Sequence, residues 1–250
     1  MELIVLGAHG TWPKPDGATS GYLLRHDGFT LWLDLGTGTM ANLQRHVDLF
    51  DVDALVISHS HPDHLVDLFP YFYARHFSPE RPTGTPLYCP PLVLDRARAL
   101  IGEDTWGAVA ESFALTEIRP GKGFEAGPFR VTTAPMAHPV PTLGVRVETD
   151  DAILAYTADT GPTHELLSLA NGADVFLSEA SWQEDGGERQ PIHLTGRQAG
   201  ETARDAGVDT LILTHIWPTL DRALSQAEAA ETFPGEIVLA QEGMVRKVGS

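Results

Sequence analysis

Ser58-His59-Ser60-His61-Pro62-Asp63-His64 is the stretch on which the reading of this chain turns. It follows the apolar run Asp53–Ile57, which reads as a buried strand. In extended backbone, residues two apart point to the same side, so His59 and His61 can grip one ion together. Pro62 suits the first turn of a helix, where its missing N–H costs nothing, and the helix is expected to run over Asp63–His76. From that first turn Asp63 and His64 project towards a second ion. Imidazole nitrogens with a hard carboxylate suit zinc, with manganese or iron as alternatives. The bland alternative is a capping aspartate beside solvent-facing histidines. Three of the chain's 11 histidines within six residues, with an aspartate among them, argue against it.

Four residues in one loop cannot fill two coordination shells, so further donors are expected where other strands end. His138 follows the strand-like run Phe129–Thr133, Asp159 follows Ile153–Tyr156, and His215 follows Leu211–Leu213. Each is succeeded by turn chemistry: Pro139, Thr160-Gly161-Pro162 and Ile216-Trp217-Pro218. Further strands are read at Glu2–Leu6, Tyr22–Leu24, Thr30–Leu33, Ala54–Ile57, Val145–Glu148, Val175–Leu177 and Ile237–Leu239. Helices are read at Met40–Val47, Leu92–Leu100, Thr163–Leu169, Thr195–Ala206 and Arg222–Ala230. Strands come consecutively near the start and again near 129–156, then alternate with helices. That mixture is an α/β chain whose sheets are covered by helices, without the regular beat of a dinucleotide fold. The glycines after Leu6 and Leu35 complete neither a GxGxxG nor a P-loop pattern. Pro79 to Pro91, the richest Pro/Gly region, reads as a loop, and one domain over 1–250 is expected.

Composition narrows the partners. Seventeen basic against 34 acidic residues give a formal charge of −17, which disfavours nucleic acid and anionic membrane surfaces. The apolar runs are too short to cross a bilayer, and no basic-then-apolar leader is read at Leu3-Ile4-Val5-Leu6. A single cysteine, Cys89, makes the reducing cytoplasm the expected location.

His59-x-His61-x-Asp63-His64, His138, the 155–161 stretch Ala-Tyr-Thr-Ala-Asp-Thr-Gly and His215 resemble the metal motifs of the metallo-β-lactamase superfamily, over essentially the whole chain. The resemblance implies an αββα sandwich of two mixed β-sheets flanked by helices, with two divalent ions at one edge. His59, His61 and His138 would hold the first ion, and Asp63, His64 and His215 the second, with Asp159 bridging. An aspartate at the bridging position is unlike the true β-lactamases and similar to the phosphodiesterase branch. Asp34-Leu35-Gly36-Thr37-Gly38-Thr39 resembles that branch's acidic-glycine motif, with Asp34 orienting a donor histidine. The segment around His193-Leu194-Thr195 resembles the ribonuclease Z motif whose histidine contacts the substrate phosphate; Thr195 is placed to cap the following helix. His9, His26, His46, His76 and His164 are read as structural.

The expected chemistry is hydrolysis of a phosphodiester by hydroxide generated at the metals, with Asp63 accepting a proton and His193 supporting the leaving oxygen. Ribonuclease Z proteins resemble this chain but carry a long exosite arm. Here 144–159 holds two short strands and a tight connection, leaving no room for one. Together with the acidic charge, this favours a small substrate. The resemblance is closest to bacterial ribonuclease Z-like cyclic-nucleotide phosphodiesterases of the atypical class II, which implies a cAMP-type substrate and a homodimer. Phe69, Tyr71, Phe72 and Tyr73 offer an aromatic face that suits either a dimer or the core. Transfer-RNA 3′-end cleavage, lactone or ester hydrolysis, and a binding protein that retains the fold are the alternatives.

Overall fold

Strands buried on both faces dominate the chain, and their alternation sends successive side chains into different cores. The computed structural model describes residues 1–250 except 81, 185, 186, 188, 189 and 250. Its first half comprises β1 (Glu2–Gly7), β2 (Gly21–His26), β3 (Phe29–Leu33), α1 (Thr39–Leu43), β4 (Ala54–Val56), α2 (Pro62–Leu65), α3 (Leu68–Phe77), β5 (Thr85–Cys89), α4 (Pro91–Ile101), α5 (Glu103–Ser112) and β6 (Phe113–Glu117). The second comprises β7 (Phe124–Ala126), β8 (Phe129–Pro135), β9 (Leu143–Glu148), β10 (Ile153–Tyr156), α6 (Glu165–Ala170), β11 (Val175–Glu179), α7 (Gly196–Ala206), β12 (Thr210–Thr214), α8 (Arg222–Ala230), β13 (Glu236–Leu239) and β14 (Val245–Lys247).

Among the described residues these strands form two sheets, ordered β14-β1-β2-β3-β4-β5-β6 and β13-β12-β11-β10-β9-β8-β7. Each sheet is antiparallel at one end and parallel at the other, with the change at β3 and at β10. Leu3, Val5, Leu31, Leu33 and Val56 from one sheet meet Val145, Leu154, Leu177 and Ile212 from the other in a central core. Ile4, Leu6, Trp32, Leu55 and Ile57 point outwards under α1–α5, while Ala155, Phe176, Leu211 and Leu213 lie under α6–α8. Three apolar layers thus separate four structural ones, the expected αββα sandwich. Each fully buried Leu, Ile, Val or Phe in them contributes about 1.5–3 kcal/mol.

Besides the helix read over Met40–Val47, which ends at Leu43, two expectations change. The helix expected over Asp63–His76 is broken into α2 and α3, because the loop after β3 competes for its backbone. Leu35 N–H donates to the His64 carbonyl at 2.7 Å, and Asp67 N–H donates to the Leu35 carbonyl at 2.8 Å. The break ties the loop bearing Asp34 to the turn bearing Asp63 and His64. Secondly, Pro79–Pro91 is not all loop, since β5 lies inside it. Pro86 is tolerated because β5 registers with β4 only at Leu87 and Tyr88, beyond the proline. The Thr195 expectation is met: its hydroxyl accepts from Gln198 N–H in a reciprocal capping box at the start of α7.

Candidate metal centre

All seven expected donors meet at one end of the sandwich, in the connections that leave β4, β8, β10 and β12. His59 Nε2 lies 3.2 Å from His61 Nδ1, and His138 Nε2 lies 3.2 Å from the same atom. Asp159 Oδ2 stands 3.7 Å from His59 Nε2 and 3.8 Å from His138 Nε2. The Nδ1 atoms of His59 and His138 are engaged elsewhere. His59 Nδ1 meets Ser58 Oγ at 3.0 Å, and His138 Nδ1 meets the Ile192 carbonyl at 3.1 Å. With N–H groups placed there, the converging Nε2 atoms carry lone pairs. Burial, the largest influence, holds His59 well below the ordinary histidine pKa and lowers His61 and His138 as well. Neutral imidazoles with lone pairs facing one another suit a cation between them.

The second set shares Asp159. Its Oδ1 lies 3.2 Å from His64 Nε2 and 3.3 Å from His215 Nε2. His215 Nε2 lies 3.1 Å from Asp63 Oδ2 and 3.3 Å from His64 Nε2. Burial alone would raise both carboxyls, yet the surrounding histidines hold Asp63 below the carboxylate range and Asp159 well below it. Burial would likewise lower His64, but Asp159, Asp63 and Asp34 carry it well above the usual value. Asp159 Oδ1 is buried without a well-aligned hydrogen bond, the kind of orphaned polar atom that a bound ion satisfies. The donor set therefore fits divalent metal, and it falls into two groups that share Asp159: His59, His61 and His138 in one, Asp63, His64 and His215 in the other.

Asp34 organises this end of the first sheet. Its Oδ2 accepts from His64 Nδ1 at 2.7 Å and from the Tyr156 and Ser58 hydroxyls at 2.8 Å each; its Oδ1 accepts from Ser58 N–H at 2.7 Å. That is the orienting position expected for it. Thr11 N–H donates to Asp63 Oδ2 at 2.8 Å, which fixes the carboxylate from the opposite side. Thr11, Asp34, Ala158 and His215 all hold left-handed φ, at 65°, 57°, 52° and 52°. Such strain costs about 1–3 kcal/mol per residue and clusters at functional sites.

Glu179 is the residue that sequence reasoning missed. At the end of β11 its carboxylate accepts from Thr160 N–H at 2.6 Å and from Ser181 Oγ at 2.6 Å, and it pairs with His193 Nδ1 at 2.8 Å. Ser181 Oγ in turn meets His215 Nδ1 at 2.7 Å. Glu179 thus does for His193 what Asp34 does for His64, and it reaches His215 through the Ser181 hydroxyl. An acidic residue closing an otherwise apolar strand, like Asp159 beyond β10, was the available signal. His193 itself is buried beside the donors, its ring 5.3 Å from His138 and 5.8 Å from His215. Burial opposes its charged form, but the Glu179 carboxylate outweighs burial and pushes its pKa up to about 9. The loop before it is pinned at Gly161, where a Cβ would sit 1.6 Å from the Pro191 carbonyl oxygen.

Among the histidines read as structural, His9 is buried and meets Glu242 Oε1 at 3.0 Å, while His76 stacks on Phe72 at 5.4 Å. Tyr71 and Phe72 are core residues and Phe69 packs partly against that core, whereas Tyr73 and Phe77 are exposed. Cys89 is buried, and burial raises its thiol pKa, so it offers no nucleophile. Among the described residues no helix is long and apolar enough to cross a membrane.

Residues 30–216 match the family model described as the beta-lactamase superfamily domain. An uncharacterized protein of Mycobacterium leprae is 35% identical over 97% of this chain and 87% of its own length. The crystal structure of the metallo-beta-lactamase fold protein YhfI from Bacillus subtilis superposes with a TM-score of 0.89 at 27% identity, covering 98% of this chain and 99% of that one. A ribonuclease Z of Haloarcula marismortui is 27% identical over 99% of this chain and 97% of its own length. The chain belongs to the beta-lactamase superfamily, as a metallo-β-lactamase-fold protein of the branch that includes ribonuclease Z.

Proposed function

We propose that this protein is a dinuclear metal-dependent phosphodiesterase acting in the cytoplasm on a small substrate, a cyclic nucleotide such as cAMP, with zinc as its metal. The observation that carries the reading is the pair of donor sets joined through Asp159, with a buried, carboxylate-paired His193 beside both. Two divalent ions bound there supply Lewis acidity, acidifying water and offsetting charge on phosphoryl oxygens. His59, His61 and His138 would hold one ion and Asp63, His64 and His215 the other, with Asp159 shared between the two sets. Asp63 Oδ2, already fixed by Thr11 N–H, is placed to take a proton from the attacking water. His193, protonated and aimed by Glu179, contacts the phosphate and gives its proton to the departing oxygen.

A small substrate is favoured by the short connection between β9 and β10, four residues from Thr149 to Ala152, and by the −17 charge. The reading includes a homodimer, for which exposed Tyr73 and Phe77, stacked at 6.0 Å, offer an apolar contact. The test is a panel of cAMP, cGMP, bis(p-nitrophenyl) phosphate, precursor tRNA and a lactone, assayed on zinc- and manganese-loaded protein. Hydrolysis of cAMP with the highest kcat/KM is expected. Faster cleavage of precursor tRNA would transfer the protein to RNA processing, and turnover confined to the lactone would remove phosphoryl chemistry altogether.

A further inference from the structure

A cleft of about 530 Å³ opens beside His138, and a smaller one of about 190 Å³ is lined in part by His193. The larger one lies between the start of α4, the end of β6 and the segment 135–143. Its size is within the roughly 300–1,000 Å³ of small-molecule sites. The walls are largely apolar, and Pro90, Pro120, Pro139 and Pro141 are among them. Prolines have essentially no side-chain rotamer freedom to lose on binding, so such walls are rigid before anything enters. Two charged residues, Asp95 and Arg119, interrupt the apolar lining.

We infer that this cleft seats the nucleobase of the substrate and that Asp95 and Arg119 select an adenine-type edge. The inference rests on the phosphodiesterase reading above. His138 is both a member of the first donor set and a wall of the cleft. A diester whose phosphorus lies at the centre must therefore extend its substituents into the spaces that border it. The bulky ring takes the 530 Å³ cleft, and the leaving oxygen lies towards His193, whose ring is 5.3 Å from that of His138. A flat heterocycle suits walls of rigid proline faces. Adenine presents one donor beside one acceptor on its outer edge, which complement a carboxylate and a guanidinium respectively. Guanine presents two acceptors on the corresponding edge, so its oxygen meets the Asp95 carboxylate unfavourably.

The test uses metal-loaded protein with cAMP, cGMP and methyl p-nitrophenyl phosphate, which carries no base. In the parent protein cAMP is expected to exceed cGMP in kcat/KM by roughly 10–100-fold, the scale of one well-made pairing. Leu92→Trp, which fills the cleft from α4, should lower the cAMP to methyl p-nitrophenyl phosphate ratio at least about tenfold. Asp95→Asn, at an exposed position that leaves the fold intact, should narrow the preference for cAMP over cGMP. Calorimetry with adenosine 5′-monophosphate gives a readout independent of turnover: binding should weaken in Leu92→Trp. If all three esters are inert yet that binding weakens as expected, the cleft assignment stands and the phosphodiesterase reading falls. If the esters are hydrolysed but neither variant changes its ratio, the cleft assignment is wrong.

Discussion

Replacing Asp159 with alanine is expected to empty both metal positions and to lower phosphodiester hydrolysis by more than about 100-fold, the upper end for losing even an outer partner of a metal site. The size follows from its place. Its two oxygens reach different donor sets, Oδ2 towards His59 and His138, Oδ1 towards His64 and His215. Its carboxylate is also the main support for the charged form of buried His64. His64→Ala should act unequally, weakening the second ion while the first keeps His59, His61 and His138. Elemental analysis of the two variants, purified without chelators, checks both statements. Equal and full occupancy of both positions in either variant contradicts these roles.

The second large effect is expected from His193→Ala, which should leave metal content unchanged while reducing kcat on cAMP by about 10²–10⁴-fold, the usual scale for a positioned acid. The loss should shrink on bis(p-nitrophenyl) phosphate, whose p-nitrophenolate departs without protonation. Equal losses on both substrates would assign His193 to phosphate binding alone. The pH profile carries the same information. His193 is charged below about 9, so activity that needs its proton holds through neutrality and declines as pH rises through that value. Burial works against the charge and Glu179 sustains it, so Glu179→Gln should shift the alkaline limb to lower pH, towards the ordinary histidine value of ~6.5. An alkaline limb that stays in place would mean that another group sets it.

The donors were legible because each follows a short apolar strand and precedes turn chemistry, a pattern that local sequence carries in full. Asp34 was legible only through the family resemblance, which implies a contact with a donor histidine such as the 2.7 Å one to His64 Nδ1. Glu179 escaped notice because its role is created by tertiary contact: Thr160, Ser181 and His193 reach it from three separate segments. β5 was hidden by Pro86, whose missing N–H matters only where a partner strand needs it. β6 was hidden by its exposed, polar Thr116 and Glu117. The split of α2 from α3 was invisible to periodicity, since apolar spacing continues across it. The break is imposed by Leu35, 29 positions upstream of His64, through backbone hydrogen bonds that no local pattern records. What local sequence supplied was the chemistry at strand ends; what it lacked was the set of long-range contacts that aim those groups.

One bridging carboxylate is expected to join two metal positions. Anomalous diffraction at the zinc edge, on crystals of zinc-loaded protein, tests it most directly. Two peaks are expected, roughly 3.5–4 Å apart, one beside His59, His61 and His138, the other beside Asp63, His64 and His215, with Asp159 touching both. A single peak at full loading, or two peaks with Asp159 turned away from either, would contradict it.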